Sequence, residues 1–366
     1  MNATMRRVAI ATAAISMAAS LAACGSAKEA GGDKERDKKK TGPLTIGLLL
    51  PEDQTARYEN FDKPLITKHI KGLCDECEVQ YVNAKSDASL QQQQVDSMIT
   101  KDVDVIILDA VDSESIASSV KKADEAGIPV VAYDRLAQGP VSAYTSFDNK
   151  KVGQVQGKAL LEALGDKADD GEIVMLNGWE ADPNAADFKK GALSVLKGKV
   201  KIGKSYDVDR WLADKANDAM NGAISSLGKD KIIGVYSAND GMAGGAITAL
   251  KNGGFDPLPP VTGQDAELAG VQRVISGDQY MSVYKPYEPE ATAAAEMAIA
   301  LGRGEKVNAS ATVDSPTTKG IPATLITPLA LTKDNVKDTV IKDGLWKVDE
   351  ICTAKFASAC AAAGLK

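Results

Sequence analysis

Short apolar runs alternate with longer amphipathic segments along most of this chain. Residues 44–50 (LTIGLLL) open the series as a buried strand, and residues 56–71 follow with helical spacing. Residues 79–83, 103–108 and 128–133 read as further strands, separated by helical stretches at 90–101 and 113–126. Gly127 just past a helix and Pro129 opening the next strand are the punctuation such units carry. A second series begins after residues 143–147 (AYTSF). Helices at 149–165, 185–196, 213–227 and 242–252 interleave there with strands at 173–176, 199–206, 232–237 and 260–263. Two closing units, 281–284 with 288–302 and 325–326 with 335–344, complete sheets already begun. Continuous apolar runs between amphipathic helices are the signature of parallel sheets covered on both faces. The pattern therefore predicts an α/β fold of two doubly wound parallel-sheet lobes, with an Ala-rich appendage over 346–366.

The strand ends carry the candidate chemistry. The runs IIGVYS and PPVTG break off at Asn239-Asp240 and Gln264-Asp265, each with a helical pattern straight after. VVAYDR ends at Asp134-Arg135, and MSVYKP ends at Lys285. In open α/β sheets ligands sit outside the carboxyl ends of strands, so these tips are expected to face one crevice. Asn184 and Trp211 fall in loops of the second series, and Arg57 lies just after the first strand. Carboxylates accept hydroxyl protons while Arg, Lys and Asn donate to hydroxyl oxygens, so the interleaved set suits a ligand built of hydroxyl groups. A sugar has that inventory, and Trp179 or Trp211 offers an aromatic face for its C–H surface. Any one of these residues alone also reads as a helix cap or surface ion pair, Asp240 above all as an N-cap. The set points to a binding cleft.

Composition narrows the class. The 366 residues are 44% hydrophobic and carry a net charge of −7, enough for two domains and the wrong sign for nucleic-acid binding. Arg6-Arg7, an apolar run over 8–19 and then Leu21-Ala22-Ala23-Cys24 read as an export signal too short to span a membrane. Small residues before a cysteine resemble the lipobox of bacterial lipoproteins, in which the thiol receives a diacylglycerol and becomes the new N-terminus. An ordinary cleaved signal with an incidental cysteine is the alternative. Residues 1–23 are thus expected to be a signal peptide and 24–42, polar and charged without apolar period, a tether. With Cys24 lipid-attached, Cys74, Cys77, Cys352 and Cys360 remain. Disulfides Cys74–Cys77 and Cys352–Cys360 are the simplest of three pairings in an exported chain. A four-thiolate zinc site fits the spacings poorly, and Asp75 and Glu76 would raise the thiol pKa values of a redox pair.

Six stretches carry a resemblance: AYDR (132–135), SFDNKKVGQVQGKAL (146–160), SANDGMAGGAITAL (237–250), GQDAELAGVQR (263–273), SVYKP (282–286) and KDTVIKDG (337–344). Together they closely resemble the D-xylose-binding proteins of ABC transporters, within the ribose/galactose-type periplasmic binding proteins, over residues 43–344. The resemblance implies two lobes joined by three crossovers, a monosaccharide such as D-xylose clamped between them, a membrane permease as partner, no cofactor or metal, and a monomer. On the family pattern the sugar contacts fall on Arg57, Asp134, Arg135, Asn184, Trp211, Asn239, Asp265 and Lys285, with Asp240 adjacent. The crossovers are expected near 146–148, near 262–264 and between 314 and 327. That assigns 43–146 plus 264–314 to an N-terminal lobe and 147–263 plus 315–345 to a C-terminal one. The chain departs from the pattern at Pro51, at Pro183 beside Asn184, and in its four later cysteines.

Rival functions leave marks that can be sought. Acid pairs in a sugar cleft also serve glycoside hydrolysis, but donors committed to the carboxylates would keep them ionised and poor as general acids. The one histidine, His69, is expected on the first helix away from the strand tips, so a Ser-His-Asp arrangement or multi-histidine metal site is not available. A lactose-repressor-type regulator would carry a DNA-binding headpiece where this chain has an export signal. A sugar sensor reporting to a membrane receptor would use the same closed surface as a transport protein.

Overall fold

A computed structural model describes residues 40–365. The expected signal peptide, Cys24, nearly all of the expected tether and Lys366 lie outside the described residues. Lys40, at the tether's end, is ion-paired with Asp104 of the first lobe.

The first lobe is built from β1 (Thr45–Leu50), α1 (Lys63–Leu73), β2 (Glu78–Asn83), α2 (Ala88–Thr100), β3 (Val105–Leu108), α3 (Ala117–Glu125), β4 (Val130–Tyr133) and β5 (Ala143–Phe147). Alternate residues of its strands feed two separate cores. Ile46, Leu48, Leu50, Val105 and Ile107 pack beneath α1, while Leu49, Ile106 and Leu108 pack with Val95 and Met98 of α2 and Val120 of α3. Burial on both faces is what makes LTIGLLL an unbroken apolar run, since a half-exposed strand would alternate.

The chain then crosses to the second lobe: α4 (Asn149–Leu164), β6 (Glu172–Asn177), α5 (Pro183–Leu196), β7 (Lys201–Asp207), α6 (Ala213–Leu227), β8 (Ile232–Ser237), α7 (Asp240–Asn252), α8 (Leu268–Ser276) and β9 (Ser282–Tyr284). It returns through α9 (Tyr287–Gly302), β10 (Ala311–Val313) and β11 (Ile321–Ile326) of the first lobe. It ends in the second with β12 (Leu329–Leu331), α10 (Val348–Ile351) and α11 (Ala357–Ala362). The first sheet runs β10-β11-β5-β4-β3-β1-β2, parallel except for β10. In the second, β7-β6-β8 is extended by residues 260–265, whose backbone bonds Val235 on one side and Val283 of β9 on the other. Strand β12 then pairs antiparallel with β9.

These pairings correct the expected lobe boundaries. The chain does not leave the second lobe near Gln264, because Val283 N–H donates to Gly263 O at 3.0 Å and Asp265 N–H to Val283 O at 2.9 Å, adding β9 to that sheet. Its return crossover is at Lys285-Pro286. Residues 321–326 lie in the first sheet beside β5, so the third crossover is at Thr327-Pro328. The expected helix at 335–344 is one short turn of π type at Lys337–Ile341.

The C-terminal segment is also no mere surface appendage. Ile351, Cys360 and Leu365 are buried in one cluster with Val271 and Ile275 of α8, Tyr284 and Val340. Cys352 is bonded to Cys360 and Cys74 to Cys77, with Cα separations of 5.8 and 5.3 Å. An Ala-rich stretch of about two turns cannot hold itself helical in water, so the staple and this cluster fix it.

Helices α4 and α5 pack unusually closely. A Cβ added to Gly153 would lie 1.9 Å from Phe188 O, and one at Gly191 2.0 Å from Lys150 O. Only glycine permits this approach, which seats α5 with Asn184 and Phe188 at the cleft.

Candidate functional site

Parallel strands end on one side of each sheet, and the two sheets turn those ends toward one another. The cleft between them is narrow and lined mainly by polar and charged side chains. Arg57, Asp134, Arg135, Trp211, Asn239, Asp265 and Lys285 all line it, with Thr55, Tyr58, Asp182, Phe188 and Gln264. Asn184 stands one shell behind, donating Nδ2–H to Asp134 Oδ1 at 2.8 Å and accepting from Asn149 at 2.8 Å.

Asp134 organises the first-lobe wall. It follows β4 with φ at 54°, a left-handed conformation that places its side chain across the strand end. Its backbone carbonyl accepts from Ser146 Oγ at 2.7 Å and Tyr144 Oη at 2.9 Å, which holds that turn. Its carboxylate bonds the Arg57 guanidinium and faces Lys285 Nζ at 3.9 Å. Burial alone would push this carboxyl up, but Arg57, Lys285 and Arg135 outweigh burial and hold it below its ordinary value.

Arg57 is itself spread over three carboxylates: Asp62 at 2.8 Å through Nε, Glu290 at 2.8 Å through Nη2, and Asp134. Burial works against its charge, yet these neighbours raise its pKa well above the ordinary value. Asp62 and Glu290 are shifted upward, chiefly by burial. Arg135 reaches across the cleft to Asp182 at 2.9 Å and donates to Ala110 O at 3.1 Å and Tyr58 Oη at 3.2 Å.

The second lobe supplies the other wall. Asp265, with φ at 88°, meets Lys285 Nζ at 2.9 Å. Burial lowers the Lys285 pKa and Asp265 and Asp134 raise it, the net direction being upward. Trp211, also left-handed with φ at 60°, lies edge-on to Phe188 at 6.2 Å and donates Nε1–H to Asp182 at 3.2 Å. Gly178 makes room for its indole: a Cβ there would fall 1.9 Å from the ring. Trp179, the other aromatic candidate, is not among the lining residues. Asn239 caps α7 through Oδ1, accepting from Met242 N–H at 2.9 Å. Pro183 sits at the first turn of α5, where a missing N–H costs nothing, and Asp182 caps that helix.

Asp240 turns away from the cleft. It accepts from Gln279 Nε2 at 2.6 Å, Ser282 Oγ at 2.8 Å and Glu267 N–H at 3.0 Å behind the sheet. His69 lies on α1, within hydrogen-bonding distance of Glu288 and Thr292 of α9. Asp182, Phe188, Tyr58 and the supports Asp62 and Glu290 were not singled out by the sequence. Asp182 alone left a signal, an Asp-Pro pair opening a helical run.

Two parallel-sheet lobes that close charged and aromatic side chains on one cleft define a bilobed solute-binding protein. A family model described as periplasmic binding protein domain matches residues 46–306. The chain is 36% identical over 314 residues to the D-xylose-binding periplasmic protein of Escherichia coli (strain K12), covering 84% of this chain and 92% of that one. It is 32% identical over 329 residues to the multiple sugar-binding periplasmic receptor of Rhizobium radiobacter, with the same shares covered. A solved ABC transporter solute binding protein from Clostridium phytofermentans with bound β-D-glucose superposes with a TM-score of 0.78 at 27% identity, over 84% of this chain and 99% of that one. The chain belongs to the periplasmic sugar-binding protein family of ABC transporters. The relatives it matches are solute-binding proteins, not enzymes.

Proposed function

We propose that this chain captures D-xylose, or a monosaccharide close to it, between its lobes and delivers it to the permease of an ABC transporter. The observation that carries this reading is the polar inventory of the cleft. Asp134 and Asp265 are acceptors for sugar hydroxyls, and Arg57, Arg135, Lys285 and Asn239 are donors, with Asn184 holding Asp134 in place. Trp211 and Phe188 face the same space and suit the apolar C–H surface of a pyranose. Each lobe holds only part of the set, so the full complement of bonds forms when the lobes meet.

Closure also provides selectivity. Three crossovers, at 147–148, 285–286 and 327–328, let the lobes swing, and a sugar that blocks their approach loses bonds from both. A pentose and a hexose differ by one hydroxymethyl group, a steric difference worth about 1–3 kcal/mol in a fitted pocket. The likeness to D-xylose-binding proteins favours the pentose. Cys24 is the expected site of a diacylglycerol anchor, which would keep the closed form close to the permease at high effective concentration. Titration calorimetry with D-xylose, D-glucose, D-ribose and L-arabinose tests the reading. Tight one-to-one binding of D-xylose is expected; tighter binding of another sugar overturns the ligand, and binding of none overturns the function.

A further inference from the structure

The C-terminal segment touches the binding cleft from behind. Trp346, between the turn at Lys337–Ile341 and α10, donates Nε1–H to Ala266 O at 2.8 Å. Tyr287 Oη donates to the preceding carbonyl, Asp265 O, at 2.9 Å. Asp265 and Ala266 are consecutive left-handed residues without being glycine, with φ at 88° and 49°. Such a pair persists only where its surroundings over-determine it. Here two ring donors hold two successive carbonyls, and the backbone they fix aims the Asp265 carboxylate at Lys285 Nζ.

Trp346 also reaches the other lobe. Its ring meets Phe61 edge-on at 5.2 Å between centroids, and Phe61 packs on Tyr287 at 5.5 Å. The Arg57 guanidinium lies over the other side of that relay, 4.7 Å from the Tyr287 ring centroid. Trp346 is anchored by the segment that follows it, through the Cys352–Cys360 staple and the bonds from Gln272 Nε2 to the carbonyls of Glu350 and Ile351 at 3.1 and 3.3 Å. Its backbone N–H donates to Val340 O at 3.2 Å.

We propose that Trp346 is a positioning residue for the sugar site, holding the Asp265-Ala266 backbone in its bound geometry and joining the two lobes through Phe61; this rests on the sugar-binding reading above. The C-terminal segment is thereby a working part of the cleft. Loss of its indole N–H frees the Asp265 turn, so bound sugar leaves faster.

The test is a double-mutant cycle on the full chain with D-xylose as the probe, reading the dissociation constant by calorimetry and the off-rate by stopped flow. Trp346→Phe keeps a ring against Phe61 while removing the N–H donor together with part of the indole's volume. It is expected to weaken binding about two- to tenfold, chiefly through a faster off-rate. In an Asp265→Asn background the same change is expected to cost less than half of that, because the group being positioned has already been altered. Tyr287→Phe, which frees the neighbouring carbonyl, serves as the second variant and should couple to Asp265→Asn in the same way. A lowered melting temperature with unchanged affinity in Trp346→Phe overturns the inference, as does full additivity with Asp265→Asn in both cycles. Failure of the unsubstituted chain to bind any of the four sugars is a different result: it removes the sugar-binding reading, and the positioning role with it.

Discussion

Two buried aspartates stand just past strand ends in the two lobes, and their carboxyls are shifted in opposite directions. Asp134 follows β4 of the first sheet, and Asp240 follows β8 of the second by three residues. Around Asp134 stand Arg57, Lys285 and Arg135, and its carboxyl is held below the ordinary range despite burial. Around Asp240 burial dominates. Arg273, Gln279 and Ser282 pull its pKa down, Asp265 pushes it up, and it settles at about 7. Arg273 Nη2 donates to the Asp240 backbone carbonyl at 2.6 Å, so its charge is not directly paired with the carboxylate. The first carboxylate faces the cleft charged; the second is packed against Gly263 and Gly270, where added Cβ atoms would lie 1.9 and 2.2 Å from its oxygens. Position at a strand tip makes a residue a candidate. The charges it meets after folding decide whether it can serve a ligand or only brace the sheet.

The comparison breaks most visibly at Asp134. Asp134→Ala leaves Arg57 and Lys285 short of a buried counter-charge and is expected to destabilise the chain by about 3–5 kcal/mol, measured by urea denaturation, besides abolishing sugar binding. A loss below about 1 kcal/mol would mean that the cations find other partners. Asp265→Ala, at the second-lobe wall, is expected to cost about 1.5–3 kcal/mol of binding, roughly ten- to a hundredfold in affinity, with little change in fold. Unchanged affinity would remove Asp265 from the site.

Gly178→Ala should come next. The new methyl displaces the Trp211 indole and with it the Nε1–H bond to Asp182, so affinity should fall about tenfold. An unaltered affinity would show that the indole does not cover the sugar.

A separate test is the pH dependence of stability. The Asp240 carboxyl, ordinarily at 3.8, keeps its proton in the folded chain up to about 7, whereas the unfolded chain has released it. The folded state therefore binds more protons across that window, and its stability falls as pH rises from about 4 to 7. Glu267, half-buried, is also shifted upward, by desolvation and by Asp240 and Asp265, and acts in the same direction. Melting curves between pH 5 and 8 should decline, and Asp240→Asn should flatten them. An identical slope in that variant would place the proton elsewhere.

How far the sequence foretold these features depends on whether the cause was local. Runs such as LTIGLLL and VVAYDR were legible because burial on both sheet faces forces continuous apolarity, and because a polar tip at a strand's end has few uses. The strand-end placement of Asp134, Arg135, Asp265 and Lys285 was legible in this way. Glu290 was not, since its partner, Arg57, is remote in the chain and comes close only after the lobe is assembled; Asp62, five residues past Arg57, was passed over although its contact is local, made across a short π turn. The second crossover was misplaced for the same reason: nothing in residues 264–286 says that Val283 will pair with Gly263. Trp346 went unremarked because its partners Ala266 and Phe61 are remote in the chain, and the segment it opens reads as an Ala-rich surface appendage.

Capture between closing lobes is tested most directly by small-angle X-ray scattering of the chain with and without saturating D-xylose. The radius of gyration should fall when sugar is added, and it should not fall for Asp265→Ala at the same sugar concentration. Calorimetric binding of D-xylose with no contraction of the unsubstituted chain would contradict the account, because the sugar would then be held without the two walls of the cleft meeting on it.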